Sequence, residues 1–85
     1  MLVEFWAPWC TQCRPMANVV ERLADELPED VRVLKLNVEE HGDAAREHSV
    51  RSLPSLLYFE GSGEKARIVG FKRLPLVLQE LRPHL

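Results

Sequence analysis

The sequence predicts an α/β fold in which a mixed four-stranded sheet carries three helices, in the order β-α-β-α-β-β-α. Two observations lead to this prediction. Apolar runs typical of buried strands alternate with amphipathic helical patterns, and such alternation builds parallel crossovers. A turn at Gly61-Ser62-Gly63 then separates two further strand patterns, as in an antiparallel hairpin. Because 85 residues suffice for only one small core, residues 1–85 are assigned to a single domain.

The first two elements follow from apolar periodicity. Residues 2–7 form a strand buried on both faces, because only Glu4 interrupts their apolar run. Residues 11–27 show the i, i+3, i+4 pattern of an amphipathic helix that ends before Pro28. Pro15 would be the fifth helical residue if Cys10 caps this helix, and it would remove one helical hydrogen bond. We therefore expect a local bend just after the second cysteine.

The remaining elements have the same kind of support. Residues 31–38 form a second strand, and residues 43–48 form a short helix. Residues 56–59 and 65–69 form the hairpin, and Pro54 stands where a strand tolerates proline. A trans bond is the default before Pro54, since only about 5–6% of such bonds are cis. The last helix is built on four apolar residues at helical spacing, Leu74, Val77, Leu78 and Leu81.

Charge and hydropathy argue against two classes of partner. The chain carries 11 Lys and Arg against 13 Asp and Glu, a net charge of −2, and no basic stripe that would favour nucleic acid. No apolar run approaches the roughly 18 residues that a membrane-spanning helix needs. The first residues lack the basic segment of a signal peptide, so we expect a cytoplasmic protein without a membrane partner.

The two cysteines form the most informative motif. Cys10 and Cys13 stand three apart, between the end of a strand and the start of a helix. A helix N-terminus presents free N–H groups and favours negative charge, so a thiolate there has a lowered pKa. Such a thiol with a second thiol in reach can attack a disulfide and then be resolved. We expect Cys10 to be the exposed, reactive thiol and Cys13 to be more buried.

Two charged residues within predicted strands each allow two interpretations. Glu4 is either a charge that reaches solvent or a carboxylate buried beneath the cysteines, where it would exchange protons with a thiol. Lys35 is either an edge residue whose amine reaches water or a residue facing Glu4 from the neighbouring strand. The three histidines, His41, His48 and His84, are interpreted as surface residues, because their spacing builds no metal site with the cysteines.

At this point the sequence resembles the thioredoxin family over nearly its whole length. The resemblance rests on four segments in order: VEFWAPWCTQC at residues 3–13, KLNV at 35–38, VRSLPS at 50–55, and Gly70. It implies a thioredoxin-like fold and the activity of a protein thiol–disulfide oxidoreductase. It further implies disulfide-containing protein substrates, a thioredoxin reductase as electron donor, and no cofactor beyond a redox-active Cys10–Cys13 disulfide.

The resemblance also implies roles for individual residues. Cys10 would be the attacking nucleophile, Cys13 the resolving thiol, and Glu4 the buried acid, one methylene longer than the family's more usual Asp. The substrate groove would be lined by four residues that the family motifs place beside the cysteines: Trp9, Leu53, Pro54 (in the cis form) and Gly70.

The sequence departs from the family pattern at two places. Thr11-Gln12 stands where most thioredoxins have Gly-Pro. Because proline has no backbone N–H, the extra N–H of Gln12 should shift the redox potential toward the oxidising side. The residues expected to tune this potential are Thr11, Gln12 and Lys35. The chain also starts at the family's second strand, as a minimal or trimmed member would. Residues 31–38 would then form an exposed sheet edge, and we expect self-association through it.

Three functions are compatible with these patterns. The leading hypothesis is a protein-disulfide reductase or exchanger that turns over the Cys10–Cys13 pair. A metal- or cluster-binding module is the first alternative, although one such pair supplies only two of the four ligands that zinc prefers. A thioredoxin-like interaction domain without redox turnover is the second.

Overall fold

The structure is a computed structural model that describes residues 1–85. Its elements confirm the predicted order. They are β1 (Leu2–Trp6), α1 (Cys13–Glu26), β2 (Val33–Asn37), α2 (Gly42–Glu47), β3 (Ser55–Glu60), β4 (Gly63–Val69) and α3 (Leu74–Leu81), followed by a 3-10 turn at Arg82–His84. No helix among them has both the length and the apolar character required to cross a membrane.

The four strands form one mixed sheet in the order β2-β1-β3-β4. β1 and β2 are parallel, whereas β3 is antiparallel to both β1 and β4. β2 is therefore an edge strand, as predicted. Since β1, β2 and β4 run toward the cysteines and β3 runs away from them, four loops meet at one end of the sheet.

Alternation along β1 distributes its side chains between two cores. Leu2 and Glu4 face α1 and α3, whereas Val3 and Phe5 face α2. The larger core lies on the α1 side and contains Leu2, Met16, Val19, Val20, Leu23, Leu56, Tyr58, Ile68, Leu74, Val77 and Leu81. The smaller core contains Val3, Phe5, Ala45, Leu57 and Phe59. A charged residue at position 4 is therefore enclosed between the central strand and α1.

The start of α1 differs from the prediction. The helix begins at Cys13 rather than at residue 11, with Gln12 as its N-cap. Pro15 is consequently the third helical residue, where a missing N–H costs no intrahelical hydrogen bond. Pro15 therefore gives no reason to expect a bend after the second cysteine. That prediction rested on a helix start at residue 11, which was wrong.

His48 was wrongly predicted to be a surface residue. It is half-buried, and its ring lies 6.3 Å from the ring of Phe5 and 5.2 Å from that of Phe59, measured between centroids. His84 is half-buried as well, whereas His41 is exposed as expected. His48 follows the last residue of α2, so packing of that short helix on the sheet carries its ring onto the aromatic side chains.

Candidate active site

The cysteine pair lies at the end of the sheet where the four loops meet. Cys10 and Cys13 form a disulfide, with their Cα atoms 5.3 Å apart. Both residues are buried, Cys10 at 8% and Cys13 at 5% exposure. In this oxidised state the predicted contrast between an exposed Cys10 and a buried Cys13 is therefore nearly absent. The reason is packing, because Ala7, Trp6 and Leu53 surround the pair.

The turn between the cysteines leaves backbone donors free. The N–H of Cys13 donates to the carbonyl of Cys10 at 3.2 Å, and the N–H of Met16 donates to that of Gln12 at 3.3 Å. The N–H groups of Thr11 and Gln12, both exposed residues, have no acceptor within the chain. They add to the free donors at the start of α1, and together these groups favour a thiolate at this place.

The loop before β3 closes one side of the site. Leu53 packs against the cysteine cluster, Pro54 is buried, and the peptide bond between them is cis, as the family resemblance implied. The N–H of Gly70 donates to the carbonyl of Pro54 at 2.8 Å, which brings the end of β4 to the same place. The φ of +85° at Gly70 is a left-handed conformation that favours glycine.

The two tryptophans near the disulfide differ in their surroundings. Trp9 is 65% exposed, and its indole N–H donates to a carboxylate oxygen of Glu39 at 3.1 Å. Trp6, rather than Trp9, packs against the cysteine cluster. Sequence reasoning missed Glu39. Its position just after β2 could have indicated it, because the carboxyl ends of parallel strands share one edge of the sheet.

Glu4 is buried, so the interpretation as a solvent-reaching charge was wrong. It is 1% exposed, and its Oε2 has no hydrogen-bond partner. Burial raises the pKa of Glu4 above 4.5, and the charge of Lys35 partly opposes that rise. Lys35 stands directly opposite Glu4 in the β1–β2 register, as one interpretation predicted, yet the two form no ion pair.

A cavity connects this carboxylate with the disulfide. It measures about 240 Å³ and is lined by Glu4, Lys35, Cys10 and Cys13, among other residues. The cavity is large enough for water, and Glu4 and Lys35 supply charged groups to its otherwise largely apolar lining. The Glu4 carboxylate and the two cysteines thus border the same space, although no hydrogen bond joins them.

Arg67 holds the opposite end of the Leu53 loop, and sequence reasoning missed it as well. Its guanidinium donates to the carbonyls of His48 and Ser49, at 2.6 and 3.2 Å, and to both carboxylate oxygens of Glu64. The hydrogen bonds that Arg67 donates to Glu64 raise the pKa of Arg67, and they lower the pKa of Glu64. The loop is thus anchored at its start by Arg67 and at its end by Ser55, whose hydroxyl donates to the carbonyl of Ser52 at 2.6 Å.

The arrangement is suited to exchange of a disulfide. It combines two sulfurs in bonding distance, free backbone donors for an anionic sulfur, and a nearby acid with a raised pKa. The structure brings no three His, Cys, Asp or Glu side chains together in a way that could hold a metal ion.

Comparison with known proteins agrees with this chemistry. The thioredoxin family model matches residues 1–81. Thioredoxin 1 of a Nostoc species is 36% identical over 85 residues, which are 100% of this chain and 79% of the relative. The chloroplastic M-type thioredoxin of Chlamydomonas reinhardtii is 35% identical, and the chain spans 61% of its length. The bifunctional thioredoxin reductase/thioredoxin of Mycobacterium leprae is 40% identical over 81 residues, which are 95% of this chain and 18% of that protein.

A solved structure described as that of a malarial protein supports the fold. It superposes with a TM-score of 0.89 at 24% identity, over 99% of this chain and 94% of the other. Fold, cysteine pair and relatives therefore agree: this chain belongs to the thioredoxin family of protein thiol–disulfide oxidoreductases.

Proposed function

We propose that the chain works as a reductant and exchanger of disulfides in other proteins, and that a thioredoxin reductase supplies its electrons. The observation that carries the proposal is the Cys10–Cys13 disulfide beside an exposed Trp9 and a loop with free backbone groups. The Mycobacterium leprae relative, named as a reductase and thioredoxin in one protein, supports the choice of donor. We also propose a cytoplasmic location, because a dithiol reductant works in a reducing compartment.

The reaction consists of two exchanges of sulfur partners. The Cys10 thiolate attacks one sulfur of a substrate disulfide, and the other substrate sulfur leaves as a thiolate that takes up a proton. Cys13 then loses its proton and attacks the Cys10 sulfur, which releases the second substrate thiolate. Two electrons have then passed to the substrate and Cys10–Cys13 is oxidised. The two substrate thiolates take up two protons, one that Cys13 has released and one from the solvent.

Glu4 is the group that we assign to the second exchange. The Cys13 thiol must lose a proton before it attacks, and the carboxylate at the other end of the shared cavity can accept it. Its raised pKa brings it closer to neutral pH, where a general base exchanges protons most effectively. Lys35 opposes that rise, so we assign it a tuning role.

Substrate docking is assigned to the surface around the disulfide. The N–H and carbonyl of Leu53 have no partner within the chain, so an extended substrate segment can pair with them. Trp9 offers an exposed aromatic face, and Pro54 and Gly70 complete the side of the groove formed by β3 and β4.

Turnover with a reductase tests the function. After reduction and removal of metal, the chain should contain two titratable thiols and should reduce a small protein disulfide catalytically with a thioredoxin reductase and NADPH. A metal-binding module would bind zinc or iron without turnover, and an interaction domain would neither bind metal nor turn over. Either result would refute the proposal.

The redox potential tests the role of Gln12. Its free N–H should stabilise the Cys10 thiolate and hence the reduced form. We expect a potential on the order of tens of millivolts more oxidising than that of a Thr11→Gly, Gln12→Pro variant, because about 30 mV corresponds to ~1.4 kcal/mol for a two-electron couple. Equilibration with glutathione measures both proteins. A parent equal to the variant, or more reducing, contradicts the role.

Self-association through β2 is a further part of the proposal. β2 has one unpaired edge, and its Leu34 is 42% exposed beside an apolar groove, so a second copy can pair with it. Sedimentation velocity should show a weight-average mass that rises with concentration for the parent and for Leu76→Lys, an equally exposed position on α3. Leu34→Lys should remain a monomer. A parent that stays monomeric at high concentration refutes this part.

A further inference from the structure

Positive side chains stand on three segments that border the disulfide. The first turn of α1 carries Arg14, the Leu53 loop carries Arg51, and the segment between β4 and α3 carries Lys72 and Arg73. We call these four residues the basic rim. Arg14, Arg51 and Arg73 are exposed, and Lys72 is half-buried.

Contacts of the backbone and of neighbouring side chains place the rim beside the cysteines. Arg14 follows Cys13 directly, and Arg51 stands two residues before Leu53, which packs on the disulfide. Lys72 and Arg73 follow Gly70, whose N–H donates to the carbonyl of Pro54. Arg73 also lines one groove together with the beginning of α1. The rim therefore borders the surface on which a substrate segment would lie.

The rim is not neutralised within the chain. The two ion pairs of the structure are Arg46–Asp43 and Arg67–Glu64, and neither includes a rim residue. The exposed acids at this end of the sheet, Glu39, Glu40 and Asp43, follow β2. Glu39 is engaged with the Trp9 indole, and Asp43 is paired with Arg46. Many of the remaining acids lie at the opposite end of the molecule: Glu26, Glu29, Asp30, Glu60 and Glu64.

This distribution has a physical consequence. A chain whose net charge is −2 presents a locally positive surface at its reactive end. None of the four rim charges takes part in an ion pair within the chain. Such an asymmetric field steers an oppositely charged partner and raises its rate of encounter, more than it raises affinity.

We propose that the basic rim selects protein substrates whose disulfide is flanked by Asp and Glu. This inference rests on the proposed reductase function and names the class of substrate for it. The acidic flank lies along Arg51, Lys72 and Arg73 while the disulfide faces Cys10. The opposite side of the groove, with Glu39 and Glu40, repels an acidic flank and so directs it to the rim, whereas the rim repels a basic flank.

Two matched substrates test the selection. They are peptides with one disulfide and identical sequences, except that three flanking positions are Glu in one and Lys in the other. We expect kcat/KM to be about tenfold higher for the acidic peptide at low salt, the lower end of what electrostatic steering supplies. The ratio should approach one at high ionic strength, because the Debye length falls to about 3 Å at 1 M salt.

Two triple variants locate the effect. Arg51→Gln, Lys72→Gln, Arg73→Gln removes three charges of the rim and leaves Arg14, next to Cys13, untouched. Arg32→Gln, Lys65→Gln, Arg82→Gln removes three exposed charges at the opposite end, so the net charge changes equally. The rim variant should lose the preference for the acidic peptide, and the control should keep it.

Each outcome separates the two proposals. Equal rates for the two peptides in the parent protein, or equal loss of preference in both variants, overturn the role of the rim and leave the reductase function intact. Reduction of neither peptide overturns the proposed function, and the rim proposal with it. The salt dependence of the parent protein needs no variant, so the proposal stays testable if a triple variant does not fold.

Discussion

Cys13→Ser is expected to accumulate a covalent complex with its substrate, joined through Cys10, whereas Cys10→Ser is expected to form none. The reason is the order of the two exchanges. Without Cys13 the first exchange proceeds, and the mixed disulfide has no internal thiol to resolve it. Both variants should lose catalytic turnover by on the order of a thousandfold or more, because nucleophile and resolving group act as one unit.

Non-reducing electrophoresis and mass spectrometry identify the complex. The reduced parent is the control, because it also lacks the Cys10–Cys13 disulfide that neither variant can form. Any effect that comes only from the absence of this disulfide is therefore the same in all three proteins. Alkylation of the reduced parent at neutral pH should modify Cys10 first, because the free N–H groups of Thr11 and Gln12 lie in the turn that follows it. Faster alkylation of Cys13, or a complex trapped by Cys10→Ser, would reverse the assignment.

Glu4→Leu is expected to stabilise the fold and to slow the redox reaction. Glu4 is buried with one carboxylate oxygen unpartnered, and an unsatisfied buried polar group costs about 1–3 kcal/mol. Leucine of similar size should recover about that amount in the free energy of unfolding at pH 7. The same change removes the proton acceptor for Cys13, so resolution of the mixed disulfide should become slower.

The pH dependence identifies the charge as the cause. The pKa of Glu4 is raised in the folded state above 4.5, so the folded protein binds this proton more tightly than the unfolded chain does. The stability of the parent should therefore fall relative to Glu4→Leu as pH rises from about 4.5 to the folded pKa, and the difference should be constant above it. Urea unfolding from pH 4 to pH 8 measures this difference.

Glu4→Gln serves as the matched control, since it keeps the shape and polarity but not the charge. It should abolish the pH dependence and recover only part of the stability. A stability difference between parent and Glu4→Leu that does not change with pH would show that the carboxylate is not destabilised by its charge. Unchanged resolution kinetics in both variants would remove Glu4 from the reaction.

Local patterns in the sequence were enough to predict the element order and the cysteine motif, whereas the edge position of β2 followed from the resemblance to thioredoxins. Apolar periodicity depends on which residues share a face, and that information lies within ten or fifteen neighbouring residues. The spacing of Cys10 and Cys13 is local in the same way. The Leu53–Pro54 loop could be placed only through the resemblance to thioredoxin, because nothing within the loop connects it to the cysteines.

Tertiary structure decided how the site is held and how much of it is exposed. Packing of Trp6 and Leu53 buries Cys10, which helix position alone predicted to be exposed. The contact of Trp9 with Glu39 spans 30 positions, and that of Arg67 with His48 spans 19. Such contacts depend on where strands and loops end in space. The sequence around a residue that makes such a contact looks the same as the sequence around one that faces solvent.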